Sequence, residues 1–578
     1  MKYKLIENNI NFSNDNSYNL VDRILINRGV SEPKHYLKTT DADLYPYQLL
    51  DNMDEAVKCL LTHIENNDNI CILVDCDGDG VCSAAMLYQY LKEAFPSIHL
   101  QYTMQDGKQH GLSDKTKLPE NIQLLLTPDA STNDVKPCKK LKENGVDVVS
   151  LDHHIKNVEN PYAIIVNPYC SKNYPNFNLS GGAVTYKFLQ ALDSELWGDN
   201  ANKYLDLVAL SLISDSMDLR EKECRRLVEL GLSNIKNKAF LSIINKQNYS
   251  IGGDVNIINV MFYITPLINS TIRAGEMEDK KNLFEAFCQI DQDFDYTKNS
   301  KTETVKEDIY TRVARVATNL RAKQNREIDK GLEIINQDIE KYNRNNNKVL
   351  FANCNGLDSN YVGLVAMKLA SQYSKPCILI HESERSADYY TGSMRNYNNS
   401  PIENFKQFIE ETKLFDFVQG HMGASGVGLK KQNIKKAIDF MNEKLKDVDF
   451  DKFYRVDFIM SPEEITLDFV QELDKLKGIW CGTIEEPCIL VKGVRVNTND
   501  IELMGKEQDS FKFRLNEDGV QCMGFKRNTD DPILKLKEEE PLGTWIELEA
   551  VVKVNMNSFN QILSPQSVIQ DYNLIKKG

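Results

Sequence analysis

Four short apolar runs set the rhythm of the first third of the chain: "NICILVD", "IQLLLTPD", "VDVVSLD" and "YAIIVNP". After the first, "VCSAAMLYQYLKEAF" carries its apolar residues at helical spacing. β-Branched runs alternating with helical segments predict a parallel sheet, so an α/β fold class is expected here. Up to about residue 65 the chain reads as helices and loops, and from about 180 to 330 as mostly helix. "DIYTRVARVATNLRAKQNREIDKGLEIINQDIEKYNR" has no proline and one glycine, which predicts a long connecting helix. The Asn-rich "NRNNNK" (343–348) marks a break. A second α/β pattern then runs from "VLFANC" to about residue 447, with "CILIHES" and "DYYTGSMR" as strands. From about 450, "CILVKGVRV", "SFKFRL" and "WIELEAVVKV" predict a small domain of the β-barrel type. The expected division is 1–65, 66–330, 346–447 and 450–578, and no internal repeat is visible.

Composition agrees with this organisation. A chain of 578 residues exceeds what one core serves. No apolar run is long enough to span a membrane. The start, "MKYKLIENNI", lacks the apolar core of a signal peptide, so a cytoplasmic protein is expected. Thirteen cysteines form no CxxC pair and sit mostly in apolar runs, as buried reduced thiols do. A net charge of −15 excludes coating of nucleic acid by bulk attraction. A polyanionic ligand would need local positive patches or metal ions.

The chemistry gathers where the apolar runs end. "ILVDCDGDGV" puts Asp75, Asp77 and Asp79 at alternate positions, where their charges repel. A calcium loop would need a bidentate carboxylate at its twelfth position, which is Met86. Asp129 and Asp152 also follow apolar runs directly, and His153 and His154 come next. Ligand sites of open α/β sheets lie beyond the carboxyl ends of the strands, so these side chains converge if the strands are neighbours. Single strand-end aspartates are ordinary turn residues. "DCDGDG", "TPD" and "DHH" together in one domain argue for a site, and carboxylates with imidazoles suit manganese or magnesium.

These motifs resemble those of the DHH phosphoesterases, and within them the RecJ single-strand-specific exonucleases. "DCDGDGVCSAA", "TPDAS" and "LDHH" are similar to the first three motifs of that family; "LSGGAVTYKFL" and "DLVALSLISDSMDL" are similar to later ones. Beyond that domain, "PLINSTIRAG", "GSMR", "GHMGASG" and "GTWIELEAVVKVNMNSFN" resemble RecJ stretches in the same order. His110 stands where the family has a tyrosine, Ala130 where it commonly has a cysteine, and Lys108 is the candidate replacement for a family arginine. The Asn/Lys/Ile-rich composition fits a divergent, phage-encoded member.

The resemblance implies a DHH domain joined by a long helix to a DHH-associated α/β domain, followed by an OB-like β-barrel. It implies a metal-dependent exonuclease acting 5′→3′ on single-stranded DNA in recombination, repair or replication, with a helicase or single-strand-binding protein as possible partner. Two divalent cations, Mn2+ or Mg2+, would be held by Asp75 and Asp77 on one side and by Asp79, His153 and Asp215 on the other, with Asp129 bridging. His154 would face the scissile phosphate and Asp152 would orient an imidazole. Lys108, His110, Arg273, Gln324, Ser393, Arg395 and His421 would contact DNA. In the last domain Phe511, Phe513, Phe525, Lys526, Arg527 and Phe559 are candidates for gripping the strand, with core packing the stronger reading for each. Two other outcomes stay open: a DHH phosphodiesterase for short oligonucleotides or cyclic dinucleotides, which has a shorter chain, and a non-catalytic DNA-binding scaffold, which typically loses metal ligands.

Overall fold

The computed structural model describes residues 1–6, 20–105, 110–297, 304–383, 386–450, 453–480, 482–527, 530–539, 543–559 and 562–577. Its first strand, β1 (Lys2–Leu5), pairs in parallel with β14 (Phe453–Val456), more than four hundred residues away. Arg28 reinforces that contact with a two-pronged bond to the buried Asp457 carboxylate, at 2.7 and 2.9 Å. The opening stretch expected as helices and loops therefore contains a strand. Its sequence, KYKL, is short and mostly exposed, so its partner is invisible to local patterning.

The next five strands form one parallel sheet: β2 (Ile70–Val74), β3 (Leu100–Met104), β4 (Leu124–Pro128), β5 (Asp147–Leu151) and β6 (Ile164–Val166), in the order β3-β2-β4-β5-β6. All five residues of β2 and of β4 are buried, as strands covered on both faces require. Helix Gly78–Ala94 follows β2, capped by the Asp77 carboxylate, which accepts from Gly80 N. Helix Gly181–Leu196 is capped by Ser180, and helix Leu205–Ser214 ends at Asp215. The helical stretch that follows is interrupted by an antiparallel hairpin, β7 (Asp293–Thr297) with β8 (Thr304–Asp308).

Asp308 then caps a helix of 33 residues, Ile309–Lys341, about 50 Å long. Its first turns bury Ile309, Val313 and Ala317 in the core of the parallel sheet. Its later turns bury Ile328, Ile335 and Ile339 against the second α/β unit. That unit is a sheet of β9 (Leu350–Asn353), β10 (Cys377–Ser383), β11 (Ser386–Arg395), β12 (Phe417–His421) and β13 (Ala424–Lys430), ordered β12-β13-β11-β10-β9.

After β14 comes a seven-stranded mixed sheet: β15 (Phe458–Met460), β16 (Ile489–Asn497), β17 (Glu502–Met504), β18 (Ser510–Arg514), β19 (Gln521–Gly524), β20 (Trp545–Phe559) and β21 (Ile562–Lys577). Among the described residues the ladder β15-β16-β20-β21-β19-β18-β17 is open at its ends. Phe511 and Phe513 are buried and lie nearly parallel within it, so they belong to its core, whereas Phe525 is exposed. The side chain of Phe559 lies outside the described residues. No helix among the described residues is long and apolar enough to cross a membrane.

Candidate metal centre

Because β2, β4 and β5 are neighbours, Asp75, Asp129 and Asp152 leave the same edge of the sheet side by side. The helix that starts at Gly78 brings in Asp77 and Asp79, and the end of helix Leu205–Ser214 brings in Asp215. Ligand atoms of Asp75, Asp77 and Asp129 lie within 4.8 Å of one another, and so do those of Asp79, His153 and Asp215. His153 Nε2 joins the two groups: it is 3.2 Å from Asp129 Oδ1, 3.5 Å from Asp215 Oδ2 and 3.7 Å from Asp79 Oδ2.

Glycines make this convergence possible. A Cβ on Gly80 would stand 2.6 Å from Asp75 Cβ, and one on Gly181 would stand 2.4 Å from Asp129 Cβ. Asp129 itself adopts φ 63°, a left-handed conformation that aspartate tolerates better than most residues.

The chain leaves these carboxylates short of positive charge. Asp79 accepts from Gly181 N, Gly182 N and Ser211 Oγ, at 2.7, 2.8 and 2.5 Å. Burial still raises its pKa, with His153 opposing. Burial and the carboxylates of Asp79, Asp77 and Asp75 hold Asp129 well above its ordinary value. Its Oδ1 is buried without a hydrogen bond; the His153 imidazole is near it but poorly aligned. Burial, Asp79 and Asp77 push Asp215 to about 8, although its side chain is 37% exposed at the rim. Asp75 is raised by burial against the pull of His110, whose Nδ1 is 2.7 Å away, while Gly111 N donates at 2.8 Å. The Asp75 and Cys76 hydrogen bonds raise His110 to about 11. Divalent cations fit this donor set: an orphaned oxygen faces the centre, and the ligands are carboxylates and one imidazole.

Asp152 belongs to neither ligand group. Its Oδ1 accepts from His154 Nδ1 at 2.8 Å and from His153 N at 2.7 Å; Thr132 N donates to Oδ2. Burial would raise its pKa, but the His154 bond and charge hold it well below the ordinary range. The same bond outweighs burial at this half-exposed imidazole and lifts His154 to about 9.

The expected DNA-binding residues fall into two places. His421 ends β12; partial burial and then the charges of His154, His110 and His153 lower its pKa. Arg273 lies elsewhere, near enough for its charge to act on Arg395 and on Arg321, an arginine that sequence reasoning missed. Arg321 Nη1 donates to Gln324 Oε1 at 2.6 Å, while Gln324 Nε2 is buried and unbonded. Burial and then Arg273 lower the pKa of Arg321 and of Arg395 alike. Among the described residues no carboxylate pairs with any of the three guanidiniums. Ser393 shares the face of β11 with Arg395. Arg321 stands three residues before Gln324 on one helix, so the two side chains can meet, but that spacing alone does not mark a binding residue. The helix Thr265–Ala274 links the two places: a Cβ on Gly78 would meet Asn269 Oδ1 at 3.6 Å, and Arg273 lies one turn further on. Lys108 lies outside the described residues.

Comparison with known proteins gives the chain its relatives. Residues 69–212 match the DHH family, N-terminal domain, and residues 456–571 match the RecJ OB domain. YorK of Bacillus subtilis strain 168, an SPbeta prophage-derived protein whose name assigns it single-strand DNA-specific exonuclease activity, is 33% identical over 583 residues, covering 100% of this chain and 99% of YorK. The single-stranded-DNA-specific exonuclease RecJ of the same organism is 25% identical over 96% of this chain and 67% of its own length. The crystal structure of RecJ from Thermus thermophilus with Mn2+ superposes with a TM-score of 0.72 at 19% identity, over 96% of this chain and 75% of that one. The Mg2+ complex gives 0.67 at 18% identity, over 96% and 74% of the two chains.

Proposed function

The chain belongs to the RecJ-type single-stranded-DNA-specific exonucleases of the DHH family, and on that premise we propose that it works from the 5′ end with two divalent cations. The observation that carries the reading is the pair of ligand groups, Asp75–Asp77–Asp129 and Asp79–His153–Asp215, meeting at Asp129 and His153. Asp75 and Asp77 would hold one ion, Asp79, His153 and Asp215 the other, and Asp129 both. Mn2+ or Mg2+ there would supply an activated water and charge stabilisation at the phosphorus.

The remaining work falls to the chain. Asp152 keeps His154 protonated through Nδ1, leaving Nε2–H to donate to a phosphate oxygen. His421, from the second α/β unit, would contact the strand from the opposite side. Arg273, Arg321 and Arg395, with Gln324, would form a cationic pocket suited to a terminal phosphate. One helix connects that pocket to the metal centre, so a seated end brings a nearby phosphodiester to the carboxylates. The C-terminal sheet would hold the strand further out, with exposed Phe525 available for stacking. A helicase or single-strand-binding protein, in recombination, repair or replication, would supply or present the unpaired strand.

Digestion of 5′- and 3′-labelled single and double strands with Mn2+ and with Mg2+ tests this. Mononucleotide release from the 5′ label first, on single strands only, is expected. Release from the 3′ label first, or equal attack on blunt duplex, overturns it.

A further inference from the structure

At the other edge of the parallel sheet, away from the metal centre, a second set of ligand-type side chains comes together. Cys59 and His63 lie four residues apart on the helix Met53–Glu65 and so share one face. Asp147 is the first residue of β5, and Asp68 lies in the turn between that helix and β2. β5 ends next to Asp152, so Asp147 is about 16 Å from the catalytic edge. Ligand atoms of Cys59, His63 and Asp147 lie within 4.8 Å of one another; around a tetrahedral zinc ion they would be ~3.5 Å apart.

The hydrogen bonds give the cluster a direction. His63 Nδ1 is 2.8 Å from Asp68 Oδ2, and Nε2 is 3.2 Å from Asp147 Oδ2. With the Nδ1 proton given to Asp68, either a second proton or a metal ion lies between Nε2 and the Asp147 carboxylate oxygen. Carboxylate–histidine pairing of this kind is how metal-bound imidazoles are held. Lys142 bonds Asp147 Oδ1 at 2.5 Å and leaves Oδ2 for the cluster. A proton on Nε2 would satisfy Asp147 but would leave the half-buried Cys59 thiol no part. A metal ion would use all three.

We propose that Cys59, His63 and Asp147 form a site for a divalent transition metal of the zinc class, with Asp68 orienting the imidazole. Thiolate, imidazole and carboxylate are a zinc donor set, distinct from the oxygen-rich set that suits manganese or magnesium. Binding forms the sulfur–metal bond and releases the thiol proton to solvent. The ion would clamp the end of the helix, the turn after it and the start of β5.

Cobalt(II) loading of the full chain tests the site, because a thiolate ligand gives a near-ultraviolet charge-transfer band that oxygen and nitrogen ligands do not. Cys76 lies beside the catalytic cluster, so Cys76→Ser is the control. The band is expected in the wild type and in Cys76→Ser, and is expected to vanish in Cys59→Ser and His63→Ala. After dialysis, Cys59→Ser should retain one zinc fewer than the wild type while its Mn2+-dependent hydrolysis, and hence its fold, persists. Absence of the band from the wild type, or a band that survives Cys59→Ser, overturns the proposal.

Discussion

His153 Nε2 lies 3.2 Å from Asp129 Oδ1, yet that buried oxygen has no well-aligned hydrogen bond. Two ligand-type atoms from adjacent strand ends thus touch without the alignment a hydrogen bond needs. The desolvation of the carboxylate is offset only when cations are present.

Asp129→Asn isolates that charge. Asparagine keeps the shape and tolerates φ 63°, so the backbone is undisturbed. Turnover should fall by about a thousandfold, in line with the several kcal/mol that metal-held charge stabilisation supplies. The metal-free protein should melt at a higher temperature than the wild type, because a strained carboxylate is gone. Steady-state kinetics and thermal melts in chelator read both; unchanged turnover in a folded variant removes Asp129 from the centre.

Protonation should stand in for metal. Burial, Asp79 and Asp77 raise Asp215 to about 8 in the folded chain, above its unfolded value. The stability tied to this raised pKa is complete below about pH 4 and is lost as pH climbs through about 8. Metal-free melting temperature should therefore fall across that window, and added Mn2+ should stabilise more at its upper end. Asp215→Asn should flatten the fall. A metal-free melting profile that rises between those limits in the wild type contradicts the linkage.

Much of this centre is legible in the sequence. Asp75, Asp129 and Asp152 each end an apolar run, and parallel strands put such ends on one edge, so periodicity carries the shared edge while the strand order supplies the adjacency. The contribution of Asp215 comes from motif resemblance, since helix ends carry no comparable edge rule. The pairing of β1 with β14, and of Arg28 with Asp457, is hidden because contacts over such separations leave no local pattern. Arg321 escapes notice because a helical arginine usually points to solvent; only the fold sets it beside Arg273 and buries Gln324. Phe511 and Phe513 look alike in sequence whether they stack bases or fill a core, and burial decides for the core.

The arginine pocket predicts a preference that can be measured at a chain end. Arg321→Ala should reduce the ratio of kcat/KM for 5′-phosphorylated over 5′-hydroxyl strands by about tenfold or more, the contribution of one charge-assisted hydrogen bond. Cleavage of the 5′-hydroxyl strand should change little, since Arg321 touches no metal ligand. An unchanged ratio means that the pocket does not read the terminal phosphate.

Gly181 tests whether close packing or ligand chemistry sets metal affinity. It donates its N–H to Asp79 Oδ2 at 2.7 Å, and its Cα side lies against Asp129, where a Cβ would meet Cβ at 2.4 Å and Cα at 2.7 Å. Those are backbone-anchored atoms, so Gly181→Ala cannot be absorbed by a side-chain rotation. It should displace Asp129 relative to His153 and weaken Mn2+ binding by about ten- to a hundredfold, although every ligand is retained. Gly478→Ala, with no atom within 4 Å of its added methyl, serves as the control and should bind Mn2+ normally. Calorimetric titration of both variants compares them directly; equal affinities would show that Asp129 is not held in place by the absent side chain at Gly181.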